Sequence, residues 1–253
     1  VFEANDEKSG SPVAIKLLSL ELARSEETLR RFRAEVVRAQ AIEHENVVRY
    51  VDHGDDAGDQ WLALELASGW PVPGGRARDL AQLLLRDRVT EGGLPERAVL
   101  EVALDVAQGL QAIHEKGVVH RDLKPANILL FEDGRRRAKV ADFGVSRDRA
   151  AATLTLTGFA VGTPEYMAPE QVEGRAHGVE AEHASDLYAL GVVLYEMLAG
   201  EVPLRGRTPL ETAHLQARRR PVSIKQRAPS VSNGLARIVM KCLANAPAAR
   251  PPS

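Results

Sequence analysis

Residues 118–130 read VVHRDLKPANILL, and they hold the key to the fold. His120, Arg121, Asp122, Lys124 and Asn127 are crowded between the apolar pairs Val118-Val119 and Ile128-Leu129. The flanks predict two short buried strands. So many charges beside buried apolar surface would be costly unless each one found a partner. Asp can accept a proton, Lys can neutralise a phosphoryl oxygen, and Asn can offer Mg2+ a neutral oxygen. The cluster therefore reads either as a site that handles proton, phosphate and metal, or as a buried ion network.

Bulk properties narrow the field. The chain has 253 residues, 44% of them hydrophobic, enough for one large domain or two lobes. A formal net charge of −2 creates no field that would favour nucleic acid or an anionic membrane. The single cysteine, Cys242, excludes an internal disulfide and fits a reducing compartment. No apolar run is long enough to span a bilayer and no signal peptide is visible, so a soluble intracellular domain is expected.

Working outward, the first third reads as strands around one helix. VFEAND and SPVAIKLLSL form a hairpin across EKSG. A helix from about Glu26 to Ile42 carries Leu29, Phe32, Val36 and Ala39 on one stripe. NVVRYVDHG and QWLALELA are two more strands, and GWPVPGGR is a connector marking a lobe boundary. Beyond it helices dominate. A short one covers about Asp79 to Arg88, and a long one runs from Leu94-Pro95 to a C-cap at Gly117. Asp186 to Leu198 is apolar on nearly every side and belongs at the centre of the second lobe. RTPLETAHLQARRR and NGLARIVMKCLAN complete an α-rich half.

Three further segments decide between site and ion network. VAIK lies upstream of the cluster, VADFGVSR follows it, and GTPEYMAPE lies beyond. These four segments, in this order, resemble the signature set of the eukaryotic-like Ser/Thr protein kinases, in a bacterial version. The resemblance covers essentially the whole chain. It implies an α+β, bilobal fold: a small antiparallel β-sheet lobe with one helix (1–67) and a larger, mainly α-helical lobe (68–253). It also implies transfer of the γ-phosphate of Mg-ATP to protein Ser/Thr hydroxyls, with Mn2+ as a substitute metal. Autophosphorylation of the activation segment is implied too, between paired kinase chains.

By this resemblance Lys16 holds the α- and β-phosphates, and Glu35 pairs with it. Glu35 lies about 40° past Ala39 on the helix wheel, at the edge of the apolar stripe. Asp122 is the catalytic base and Lys124 balances the γ-phosphate. Asn127 and Asp142 are the metal ligands. Val1, Ala14 and Leu129 enclose the adenine, Leu64 is the gatekeeper, and Glu65 to Ala67 form the hinge, where backbone groups matter more than side chains. His120 and Phe143 pack in an apolar column. Thr163 belongs to the substrate platform and bonds Asp122 and Lys124. Thr155 and Thr157 resemble paired phosphothreonines, with Arg121, Arg147 and Arg31 as candidate partners for the phosphate. Two structural contacts are expected: Glu170 with Arg250, and Asp186 with the backbone of the His120-Arg121 turn.

The pattern departs from the family at both ends. The Gly-rich loop is expected just before Val1, and the chain also looks clipped shortly after Arg250. EGRAHGVEAEHAS, before Asp186, is longer than usual and has no assigned role. A pseudokinase or ATP-binding scaffold keeps this fold but loses a Lys, Asp or Asn of the site, and none is lost here. A small-molecule phosphotransferase lacks a GTPEYMAPE platform. The expected compartment is the cytoplasm, including the cytoplasmic part of a membrane-anchored receptor. Nucleic acid is not an expected partner.

Overall fold

The computed structural model describes residues 1–17, 36–37, 40–56, 59–87, 93–143, 163–174 and 179–252. Four antiparallel strands form the first sheet: β1 (Phe2–Asn5), β2 (Pro12–Leu17), β3 (Tyr50–Asp56) and β4 (Asp59–Glu65), in the order β1-β2-β4-β3. The β1-β2 turn is closed by the Asp6 carboxylate, which accepts from Lys8 N and Ser9 N, and by Gly10 at φ 70°. Register places Lys16 opposite Leu62, and Ala14 opposite Leu64. Residues of one strand thus meet the cleft beside those of its neighbour.

The connector holds the first correction. GWPVPGGR is not an extended link but a second hairpin, β5 (Trp70–Val72) paired with β6 (Gly75–Ala77). Pro73 and Gly74 fill the two central turn positions, and Gly74 has the positive φ (79°) that such a turn needs. Trp70 anchors the hairpin, its indole N–H donating to Phe131 O at 3.0 Å. Arg76 adds bonds to Ser68 O at 2.6 Å and to Glu132 at 2.7 Å.

Helices follow: α1 (Leu80–Asp87) and α2 (Glu96–Glu115), the latter ending before Gly117 at φ 67°. Then come β7 (Ile128–Glu132) and β8 (Arg136–Val140), an antiparallel pair. Ile128 to Leu130 form the expected strand, but Val118-Val119 form none. Instead Val48 N donates to Val140 O and Val140 N to Asn46 O, both at 2.9 Å. Residues 46–48 of the first lobe therefore lie along β8 as an extra partner. Gly109 of α2 makes this approach possible, because a Cβ there would stand 2.4 Å from Asn46 O.

The remaining helices are α3 (Pro169–Val172), α4 (Val179–Ala199), α5 (Pro209–Arg218), α6 (Ile224–Arg227) and α7 (Asn233–Cys242). Helix α4 is the expected central helix, with Tyr188, Val192, Val193 and Met197 fully buried. It begins seven residues before Asp186, so part of the unassigned EGRAHGVEAEHAS is helical. Gly191 lets α7 close on it, since a Cβ would meet that of Cys242 at 2.7 Å. Val36 and Val37 are helical, as expected for the helix over 26–42, whose earlier residues lie outside the described ones. Among the described residues no helix is long and apolar enough to cross a membrane.

Candidate active site

The charged cluster lies between α2 and β7 and ends in a 3-10 turn, Pro125–Asn127, with Lys124 at its N-cap. Asp122 is the centre of a small network. Lys124 Nζ donates to its Oδ2 at 2.7 Å, and the Asn127 amide donates to its main-chain O at 2.7 Å and to Oδ2 at 3.3 Å. Asp142 lies two residues past the end of β8, with Oδ2 2.7 Å from Lys16 Nζ. Lys16 comes from the sheet and Asp142 from the helical side, so the pair closes across the cleft. All four of these charged side chains are a quarter to a third exposed, open to a ligand.

Arg121 and Asp142 are the only non-glycine residues among those described with positive φ, at 67° and 59°. A left-handed non-glycine costs about 1–2 kcal/mol and persists only where its surroundings hold it. Asp186 holds the first. Its two carboxylate oxygens accept from His120 N and Arg121 N, each at 2.8 Å, and His114 Nε2 lies 2.8 Å from Oδ2. Burial alone would raise the Asp186 pKa, but the His114 hydrogen bond, the neighbouring histidine charge and the backbone donors together hold it below the usual value. His120 Nε2 lies 2.9 Å from Ala141 O, and Phe143 packs edge-on against Tyr50, so the expected apolar column is present.

Glu170 and Arg250 form the expected buried pair, bidentate at 2.6 and 2.8 Å. Burial pushes the Glu170 carboxyl up, and the bonds from Arg250 and Ser185 more than reverse it, leaving a lowered pKa.

At the nucleotide end, Leu64 is buried, Ala14 and Leu129 are half-buried against the core, and Val1 is exposed. Leu66 and the buried Ala67, expected as part of the hinge, make no hydrogen bond with other described residues. Asn127, donating through its amide nitrogen, keeps its carbonyl oxygen for a metal, and Asp142 adds a carboxylate; hard oxygen donors of this kind suit Mg2+.

Two expectations need correction. The Glu65 side chain is not incidental, for it takes Lys139 Nζ at 2.7 and 2.9 Å and Arg49 N at 2.8 Å. Thr163 lines a 390 Å³ pocket with Lys124, Pro125, Tyr166, Glu196 and Leu84, but does not bond Asp122 or Lys124. Lys124 and Asn127 both donate to one oxygen of the Asp122 carboxylate, Oδ2. Glu35, Arg31, Arg147, Thr155 and Thr157 lie outside the described residues.

The sequence model of the protein kinase domain matches residues 1–253. The chain belongs to the protein kinase family. The kinase domain is 36% identical over 249 residues to the serine/threonine-protein kinase PknB of Mycobacterium leprae, covering 98% of this chain and 38% of that protein. It is 40% identical over 218 residues to PknA of Corynebacterium glutamicum, covering 84% and 43%. The kinase domain of Mycobacterium tuberculosis PknI superposes with a TM-score of 0.71 at 26% identity, covering 98% of this chain and 83% of that one. This kinase domain spans only about two fifths of the length of PknB and PknA. The family generally uses ATP and Mg2+.

Sequence reasoning missed three of the kinase domain's residues. Lys139 stands 74 positions from its partner Glu65, a separation with no local signal. His114, which faces Asp186, reads as an ordinary helix residue. Glu182, 2.6 Å from Arg121, sits four residues before Asp186 on the same helix face, a spacing that was there to be read.

Proposed function

We propose that the chain transfers the γ-phosphate of Mg-ATP to serine or threonine hydroxyls of proteins, using Asp122 as base. One observation carries this reading: Asp122, Lys124 and Asn127 form one hydrogen-bonded network in the helical lobe, and Asp142 of that same lobe pairs with Lys16 of the sheet lobe. Asp122 accepts or orients the hydroxyl proton, and Lys124, 2.7 Å away, neutralises the transferred group. Lys16 receives the α- and β-phosphates, and Leu66 and Ala67 offer backbone groups to the adenine. Asn127 and Asp142 would hold Mg2+, which supplies neutralisation of phosphate charge.

The acceptor polypeptide enters beside Lys124, where α1, Thr163 and Tyr166 wall the pocket. Thr155 and Thr157 are expected sites of autophosphorylation between two copies. The setting is the cytoplasm, free-standing or attached to a membrane protein.

Labelled-phosphate transfer from ATP to a generic protein substrate tests the reading. Asp122→Asn should lower turnover by about 10²- to 10⁴-fold with ATP affinity nearly unchanged. Equal turnover would remove Asp122 from the role of base. Tight Mg-ATP binding by a wild type that transfers nothing would favour a scaffold instead.

A further inference from the structure

The first turn of α4 lies in the stretch before Asp186 to which sequence reading assigns no role. Glu182 and Asp186 are one helical turn apart, on one face. That face meets the catalytic loop twice. Asp186 takes the backbone N–H groups of His120 and Arg121, while Glu182 Oε2 lies 2.6 Å from Arg121 Nη2. The Arg121 and Glu182 side chains are only 18% and 24% exposed, so this pair is shielded well beyond an ordinary surface contact.

Two further contacts and one backbone conformation bear on this corner. Gln171 Nε2 donates to Arg121 O at 3.4 Å. The His183 ring stacks on His114 at 3.9 Å, seating the start of α4 against α2. And Arg121 itself, at φ 67°, holds a conformation that needs outside support, immediately before Asp122.

We propose that Glu182 is a positioning residue: its carboxylate binds Arg121 from within the chain and keeps the Asp122 loop ordered before any phosphate is added. The inference rests on the kinase reading, in which Arg121 is a candidate partner for an activation-segment phosphate. A carboxylate carries one charge where a phosphate carries about −1.5 to −2, but it is already in place. Arg121 is thus satisfied in the unphosphorylated protein, and basal turnover does not wait for modification.

The test uses phosphatase-treated protein and four variants: Glu182→Gln, Glu182→Asp, Arg121→Met and the Glu182→Gln/Arg121→Met double. Steady-state kinetics should show kcat falling by about tenfold to a hundredfold in Glu182→Gln, with KM for ATP unchanged. Amide exchange over residues 118–124 should quicken by about tenfold, as expected from losing one charge-assisted bond. Glu182→Asp keeps the charge and should recover most of both. Arg121→Met should cost as much as Glu182→Gln, and the double variant no more than either. Wild-type kcat and exchange in Glu182→Gln would overturn the proposal, as would fully additive losses in the double variant. If Glu182→Gln quickens exchange while even the wild type transfers no phosphate, the loop-ordering role stands and the transferase reading falls.

Discussion

The carboxylates of the helical interior and those of the cleft make the same kind of contact to different ends. Glu170 meets Arg250 through two bonds and Ser185 through a third, and every partner is supplied by the chain. Asp142 and Asp122 each meet a lysine at 2.7 Å, but about a third of each side chain faces water. The interior pair has nothing to exchange with. Under the proposed function the cleft pairs re-form around an incoming phosphate or metal, since exposed ion pairs contribute only about 0–1 kcal/mol. Burial, more than distance, separates a strut from a binding site.

The largest departure should come from the cleft. Lys16→Met removes the charge proposed to hold the phosphates and should lower turnover by about 10²- to 10³-fold, with the unfolding midpoint in urea moving little. A large drop in stability would mean the Lys16–Asp142 pair is structural and would erase the contrast.

Glu170→Gln should do the reverse. It leaves Arg250 as a buried cation with no anion and should cost about 3–5 kcal/mol of stability, read by denaturant unfolding. Adding Arg250→Met should return part of that loss, because the stranded charge is gone. A double variant less stable than Glu170→Gln would contradict the buried-charge explanation.

Acid probes the same interior more gently. Glu170 and Asp186 both have lowered pKa values in the folded chain. Their contribution is complete above the ordinary carboxylate range, near pH 4, and is lost as pH falls through the lowered folded values. Melting temperature should therefore fall steeply below about pH 4.5, and less steeply in Glu170→Gln. Parallel pH profiles would show that Glu170 does not contribute to the slope.

The mildest probe is chemical. Burial pushes the Cys242 thiol up to about 11, leaving little thiolate near neutrality. At pH 8, alkylation of the native chain should be slower than that of the unfolded chain by about 10²-fold. Equal rates would mean the α4–α7 contact opens readily.

The sequence revealed these regions unequally. Asp122, Lys124 and Asn127 were legible because they fall within one short turn. The order of the motifs put Lys16 and Asp142 in one expected site, but the Lys16–Asp142 pair itself was not read, since Lys16 was expected to meet Glu35. Glu170–Arg250 and Asp186 were legible only through the resemblance, since no spacing rule joins residues 80 apart. The hairpin over 70–77 was hidden because proline and glycine read as a connector, though here they build a turn. Val118-Val119 misled in the other direction: apolar and β-branched, but with no strand beside them. Thr163 failed as a partner of Asp122 and Lys124 because belonging to a motif does not fix which side chains meet.

The alignment of residues 46–48 on β8 has a mechanical consequence. The sheet lobe is joined to the helical lobe at the hinge, through the Glu65 carboxylate held by Lys139, and again at Asn46 to Val48, through main-chain bonds to Val140 and the Asn46 amide on Ala138 O. These ties are main-chain bonds and a largely buried ion pair, whereas Arg78–Glu3 and Lys16–Asp142, which also join the lobes, are about half and about a third exposed. A shift of one lobe against the other would loosen the exposed links first and spare the anchorage.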